Sequence, residues 1–319
     1  MATMTADVVR RMHHFIEVDG VRVFYRASGP AGAPTLLLLH GFPSASHQFS
    51  RLIDALGGRY RLVAPDYPGF GYSDAPESAT TGGDFVYSFD RLAEIVEGFC
   101  ERLDLDRFVM YQFDFGGPIG MRVAARHPEW IAGLVIQNAN AYDEGLSPMA
   151  RDLAGRAPEV AGDEDMIRKV LTLSATREQY LSGASHPEVI SPDGWTLDQH
   201  FLDLPGRKQI QVDLAFDYHT NVALYTTWQS WLREHHPPTL IPWGEADPFF
   251  LPHGASAYRR DLPDAEQHMF PTGHFALEEN LPQIASLVAD FVDRTWTPAP
   301  LRRANGGRSA APTAGEKAP

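Results

Sequence analysis

An α/β fold with a mostly parallel central sheet is what this sequence predicts, and three observations carry the prediction. Short apolar runs recur at Thr35–Leu39, Arg61–Pro65, Phe108–Phe113, Leu134–Ile136 and Leu240–Trp243, with Gln267–Phe270 as a last strand. Stretches with helical spacing separate them, such as Phe49, Leu52, Ile53, Leu56 and Leu92, Ile95, Val96, Phe99. At 319 residues, 44% hydrophobic and 21% charged, the chain is also long enough to bury such a sheet. Runs this short do not make stable helices, and their lack of polar alternation marks strands covered by helices on both faces.

The elements follow in order. Ile16–Val18 and Val21–Tyr25 flank Asp19-Gly20, a two-residue hairpin signal. Strands and helices then alternate as far as residue 141. From Tyr142 to His236 the rhythm breaks, and the chain becomes richer in polar residues, Pro and Gly, with helical patches over Met166–Leu173 and Gln209–Trp231. This stretch reads as a helical cap inserted between two sheet strands, dividing a core into residues 1–141 and 237–296. The tail, 297–319, has almost no large apolar residue and is expected to be disordered.

Charge and composition exclude several classes of function. Lys and Arg number 27 against 41 Asp and Glu, a formal net charge of −14 that argues against a nucleic-acid footprint or an anionic membrane surface. No apolar run approaches the ~20 residues that a membrane helix needs. Met1 to Gly20 lacks the apolar core of a secretory signal, and Cys100 is the single cysteine, so a cytoplasmic location without disulfides is expected. The adjacent pairs His13-His14 and His235-His236 do not converge on one ligand, so no metal and no cofactor are expected, and the expected partner is a small-molecule substrate. Oligomeric state is not legible.

Three segments carry chemistry. Phe108 to Phe113 runs into Asp114-Phe115-Gly116-Gly117 and then an amphipathic helix, the strand–turn–helix context of a nucleophile elbow. An Asp N-cap is the plainer reading of this segment alone. Asp247 follows the strand at Leu240–Trp243, and His274 follows the last strand. An acid and a histidine after the elbow, each at a strand's C-terminal end, give the chain order of a hydrolase triad.

With His40-Gly41-Phe42-Pro43, the Asp114 elbow, Asp247, Gly273-His274 and the segment Ala64-Pro65-Asp66 through Gly69-Phe70-Gly71-Tyr72-Ser73, the chain resembles the α/β-hydrolase superfamily. Within it, the resemblance is to the branch of epoxide hydrolases and haloalkane dehalogenases, in which Asp replaces Ser as nucleophile. That resemblance implies an α/β-hydrolase fold, catalytic Asp114, Asp247 and His274, and an oxyanion hole from the backbone N–H groups of Phe42 and Phe115. One departure is Gln112, where the elbow usually carries a small residue. Asp143 is an alternative acid, since some relatives place it after the strand that here ends near Asn138.

Asp instead of Ser decides the reaction class. A carboxylate attacking an ester would give a high-energy anhydride, whereas attack on a saturated carbon gives an alkyl ester that water can hydrolyse. Epoxides and carbon–halogen bonds fit. A halide needs N–H donors, which dehalogenases usually supply from a Trp after the nucleophile, and this chain has Phe115 there. An epoxide oxygen needs an O–H donor, which epoxide hydrolases supply from cap tyrosines. Tyr218, 29 residues before Asp247, matches the last of these, and Tyr180 is the candidate for the first. The resulting reading is an epoxide hydrolase, with haloalkane dehalogenation as the alternative and a non-hydrolytic or ligand-binding member of the fold as a third.

Overall fold

The computed structural model describes residues 9–296, and the expected disordered tail lies outside them. Eight strands form one sheet: β1 (Met12–Val18), β2 (Val21–Ser28), β3 (Thr35–Leu39), β4 (Arg61–Pro65), β5 (Phe108–Phe113), β6 (Ile131–Gln137), β7 (Thr239–Gly244) and β8 (Glu266–Phe270). Their order is β1-β2-β4-β3-β5-β6-β7-β8. β1 and β2 form the expected hairpin around Asp19-Gly20 and join β4 antiparallel, and from β4 to β8 every pairing is parallel. The hairpin strands are longer than the sequence suggested, because Met12–Phe15 pair with Phe24–Ala27 although they are mostly exposed and polar.

β3 explains the continuous apolar runs. Leu36 and Leu38 pack toward helices α1 (Ser50–Leu56) and α11 (Ala276–Thr295), among Leu52, Ile53, Val288 and Phe291. Leu37 and Leu39 point the other way, toward α2 (Phe89–Arg102) and α3 (Gly116–Arg126), among Leu92, Ile95, Phe99 and Ile119. Side chains alternate in direction along a strand, so a strand covered on both faces must be apolar at every position. Parallel pairing also brings the C-terminal ends of β3, β5, β7 and β8 to one edge, where the loops carrying Phe42, Asp114, Asp247 and His274 emerge.

Between β6 and β7 the chain forms α4 (Pro148–Ala154), α5 (Asp163–Lys169), α6 (Leu173–Leu181), α7 (Pro192–Leu202), α8 (Arg207–Asp217) and α9 (His219–His235), followed after β7 by α10 (Pro252–Tyr258). Both helical patches read from sequence are split. Met166–Leu173 spans the end of α5 and the start of α6, where the Thr172 hydroxyl accepts from the Ala175 N–H and begins a new helix. Gln209–Trp231 breaks at Tyr218, where the Asp217 carboxylate instead accepts the N–H of Phe89 at the start of α2, 2.7 Å away. Apolar periodicity continues through both breaks, so it could not reveal them.

Buried polar contacts fasten these helices to the sheet. Asp198 on α7 is wholly buried, lies 2.8 Å from His47 Nε2 and accepts the Tyr180 hydroxyl proton at 2.6 Å. Arg122 on α3 donates to Asn221 at 2.6 Å, and Arg207 to the Ser73 carbonyl at 2.8 Å. Among the described residues no helix is long and apolar enough to cross a membrane. Replacing Asp198 by Ala strands two buried polar partners, so Asp198→Ala should lose about 3 kcal/mol of unfolding free energy. A urea titration should show this as a lowered midpoint with an unchanged slope.

Candidate active site

The site is built on a tight turn. Asp114, directly after β5, has φ of 48°, a left-handed conformation that a residue with a Cβ adopts only under constraint. The constraint is visible on both sides. Its N–H donates to the Asn138 carbonyl at 3.3 Å, and its carbonyl accepts from Gly117 at 2.9 Å as α3 begins. Gly41 makes room for the side chain, since a Cβ there would lie 2.3 Å from that of Asp114. Gln112, the departure from the family pattern, fits under α3 because Gly120 has no side chain to oppose it. A Cβ on Gly120 would meet Gln112 Nε2 at 2.7 Å.

The Asp114 carboxylate is divided between two environments. Oδ1 accepts the Phe42 N–H at 2.6 Å, and the Phe115 N–H also bonds the carboxylate. Oδ2 faces His274, whose Nε2 lies 3.8 Å away, beyond hydrogen-bond length. Phe42 is held by the loop after β3, which His40 anchors. That buried imidazole stacks on Tyr67 at 4.0 Å and accepts its N–H at 3.2 Å, and burial pushes its pKa down to about 4.

His274 Nδ1 bonds Asp247 Oδ2 at 2.7 Å. The same oxygen accepts Asn138 Nδ2 at 2.7 Å, while Oδ1 accepts the N–H groups of Phe249 and Phe250 at 2.7 and 3.2 Å. Asn138 therefore belongs to the site. It also pins β7, accepting the Gly244 N–H at 2.9 Å. Sequence reasoning passed over it, and the only available signal was a polar residue closing the apolar run of β6. Asp143, the alternative acid, lies in an exposed turn with Arg151 as its ion partner and is not brought to His274.

Burial sets the ionisation. It raises the Asp114 pKa, against the pull of His274 and the two N–H groups. Burial alone would lower His274, but the Asp247 carboxylate, aided by Asp114, carries it above the ordinary imidazole value.

A cavity of about 270 Å³ opens above these groups, lined by Phe42, Asp114, Phe115, His274 and Tyr218 together with residues of α4, α5, α6 and α8. Tyr218 is thus brought to the reacting edge, its ring against Phe89 and Phe115. Burial, then the neighbouring Tyr225, raises its pKa well above the usual phenol value. Tyr180 is not brought there. Its hydroxyl is committed to Asp198, its ring stacks on Phe275 at 3.9 Å, and it does not line the cavity. Asp66, after β4, accepts the N–H groups of Ser46 and Tyr72, and Cys100 on α2 is a buried free thiol. Among the described residues no three His, Cys, Asp or Glu side chains gather as a metal site.

The chain is 38% identical over 285 residues to an uncharacterised hydrolase of Saccharomyces cerevisiae, covering 88% of this chain and 96% of that one. It is 38% identical over 151 residues to a haloalkane dehalogenase of Mycobacterium marinum, covering 46% of each. The solved epoxide hydrolase CorEH superposes with a TM-score of 0.71 at 20% identity over 89% of this chain and 99% of that one, a likeness of fold. The α/β-hydrolase fold family matches residues 34–281, and the chain belongs to that family.

Proposed function

We propose that the protein opens epoxides to diols through an alkyl ester on Asp114. The observation that supports this most is the split carboxylate: Oδ1 accepts the Phe42 N–H, the Phe115 N–H also bonds the carboxylate, and Oδ2 faces His274. In the proposed reaction Oδ2 attacks an epoxide carbon, forming a C–O ester bond and breaking the ring C–O bond. The freed oxygen takes the Tyr218 proton. A raised pKa suits that role, because the phenol keeps its proton until an alkoxide, a much stronger base, develops beside it. Water deprotonated by His274 then adds to the ester carbonyl, whose oxygen is Oδ1, already on the Phe42 N–H and with the Phe115 N–H beside the same group. Collapse of the adduct releases the diol and restores the Asp114 carboxylate, and the proton on His274 returns through solvent to Tyr218. Residues 142–236 act as the cap that supplies Tyr218 and excludes bulk water.

Haloalkane dehalogenation is the second reading, favoured by the likeness to the mycobacterial dehalogenase. It would need N–H donors for the halide, and among the described residues the cavity lining offers no Trp or Arg, only the side-chain amides of Gln179 and Gln211. Diol formation without halide release decides between the two.

His274→Gln should separate the half-reactions. Incubated with an epoxide, the variant should gain the epoxide's mass on the peptide containing Asp114, while steady-state diol formation falls roughly a thousandfold. An unmodified Asp114 peptide, with wild type still producing diol, overturns the covalent route. The pH dependence follows from the same charges. Alkylation removes the Asp114 charge, one of the groups holding His274 up, so His274 should titrate at lower pH in the alkyl-enzyme than in the free enzyme. Ester hydrolysis needs neutral His274 and should therefore persist below the pH at which free His274 protonates, measured by single-turnover decay against an NMR titration.

A further inference from the structure

The α8 helix presents Gln211, Ala215 and, at its end, Tyr218 to the cavity, spaced four and then three residues apart as one helical face requires. The cavity lining also includes the apolar Leu153, Ile167, Val170 and Leu171 and the polar Glu178, Gln179 and Ser182. Gln211 is only 3% exposed, and its Oε1 is buried without a hydrogen-bond partner among the described residues. Other glutamines of this helical segment are satisfied. Gln199 accepts the Thr176 hydroxyl at 3.0 Å and donates to Asp203 at 2.8 Å, and Gln229 donates to the Ala141 carbonyl at 2.9 Å. Gln209 is paired with Asp213 at 3.0 Å. A second buried amide, Gln179, lies on the same cavity wall.

A buried acceptor left without a partner destabilises a fold, and here it belongs to a side chain that lines the cavity. Resting on the proposed epoxide chemistry, we infer that Gln211 recognises a hydroxyl on the substrate, distant from the epoxide. A hydroxyl donates to Oε1 and accepts from Nε2, so it satisfies both ends of the amide. Seven residues of helix separate Gln211 from Tyr218, about 10 Å along the axis, so the two side chains meet opposite ends of an extended molecule. The intervening wall suits an alkyl chain. A carboxylate at the far end is disfavoured, because no Lys or Arg lines the cavity among the described residues. The substrate class is an aliphatic epoxide bearing a remote hydroxyl.

The probes are 1,2-epoxyoctane and its ω-hydroxy analogue. Wild type should prefer the hydroxylated compound in kcat/KM, and Gln211→Leu, of similar size, should erase roughly tenfold of that preference, with the loss in KM. Gln211→Asn, which withdraws the amide by one methylene, should also reduce it, so the inference does not rest on one variant folding. An unchanged preference ratio in the variants, or no preference in wild type, overturns the assignment. If neither epoxide is turned over, the epoxide reading fails separately. Equilibrium binding of unreactive 1-octanol then decides the role of Gln211: weaker binding to Gln211→Leu supports it, and equal dissociation constants overturn it.

Discussion

A buried carboxylate must collect donors or lose its charge, and Asp247 collects four. Phe249 and Phe250 hold one oxygen, and Asn138 and His274 hold the other. Those four come from the end of β6, the loop after β7 and the loop after β8, so satisfying one buried charge fixes three loops relative to each other. Asn138 extends the arrangement, since its carbonyl accepts the Asp114 N–H and its side-chain oxygen accepts the Gly244 N–H. The position of His274 against Asp114 is thus set by groups at the ends of adjacent strands.

The charges around His274 act against the effect of burial. Asp247 and Asp114 raise the imidazole against the effect of burial, and an ester on Asp114 would remove one of the two. The apolar cavity strengthens every such interaction by excluding water. The same dryness makes an unpartnered amide costly, which gives the Gln211 side chain its significance.

Much of the site was legible because each residue sits at a position with a local signature. A glycine-rich turn follows β5, β7 ends in a loop bearing Glu245 and Asp247, and β8 ends in a loop bearing His274. Gln112 read as an obstacle to the turn, yet Gly120, one helical ladder away, makes room for it. That compensation lies between residues with no sequence relation detectable in advance. Tyr218 had a family spacing behind it in the sequence and Tyr180 had none, and packing separates them further: Tyr218 lies at a helix break pulled onto α2 by Asp217, while Tyr180 is held by Asp198.

The sequence by itself determined the sheet, because a strand buried on both faces must be apolar at every position and cannot be disguised. It also determined the chain order of Asp114, Asp247 and His274, because parallel strands bring their C-terminal ends to one edge. Only the tertiary structure decided how the helices between β6 and β7 break, which tyrosine reaches the cavity, and that Asn138 and Gln211 face the site. Those outcomes depend on contacts between residues far apart in the chain, as between Phe89 and Asp217, 128 positions apart, which no local pattern encodes.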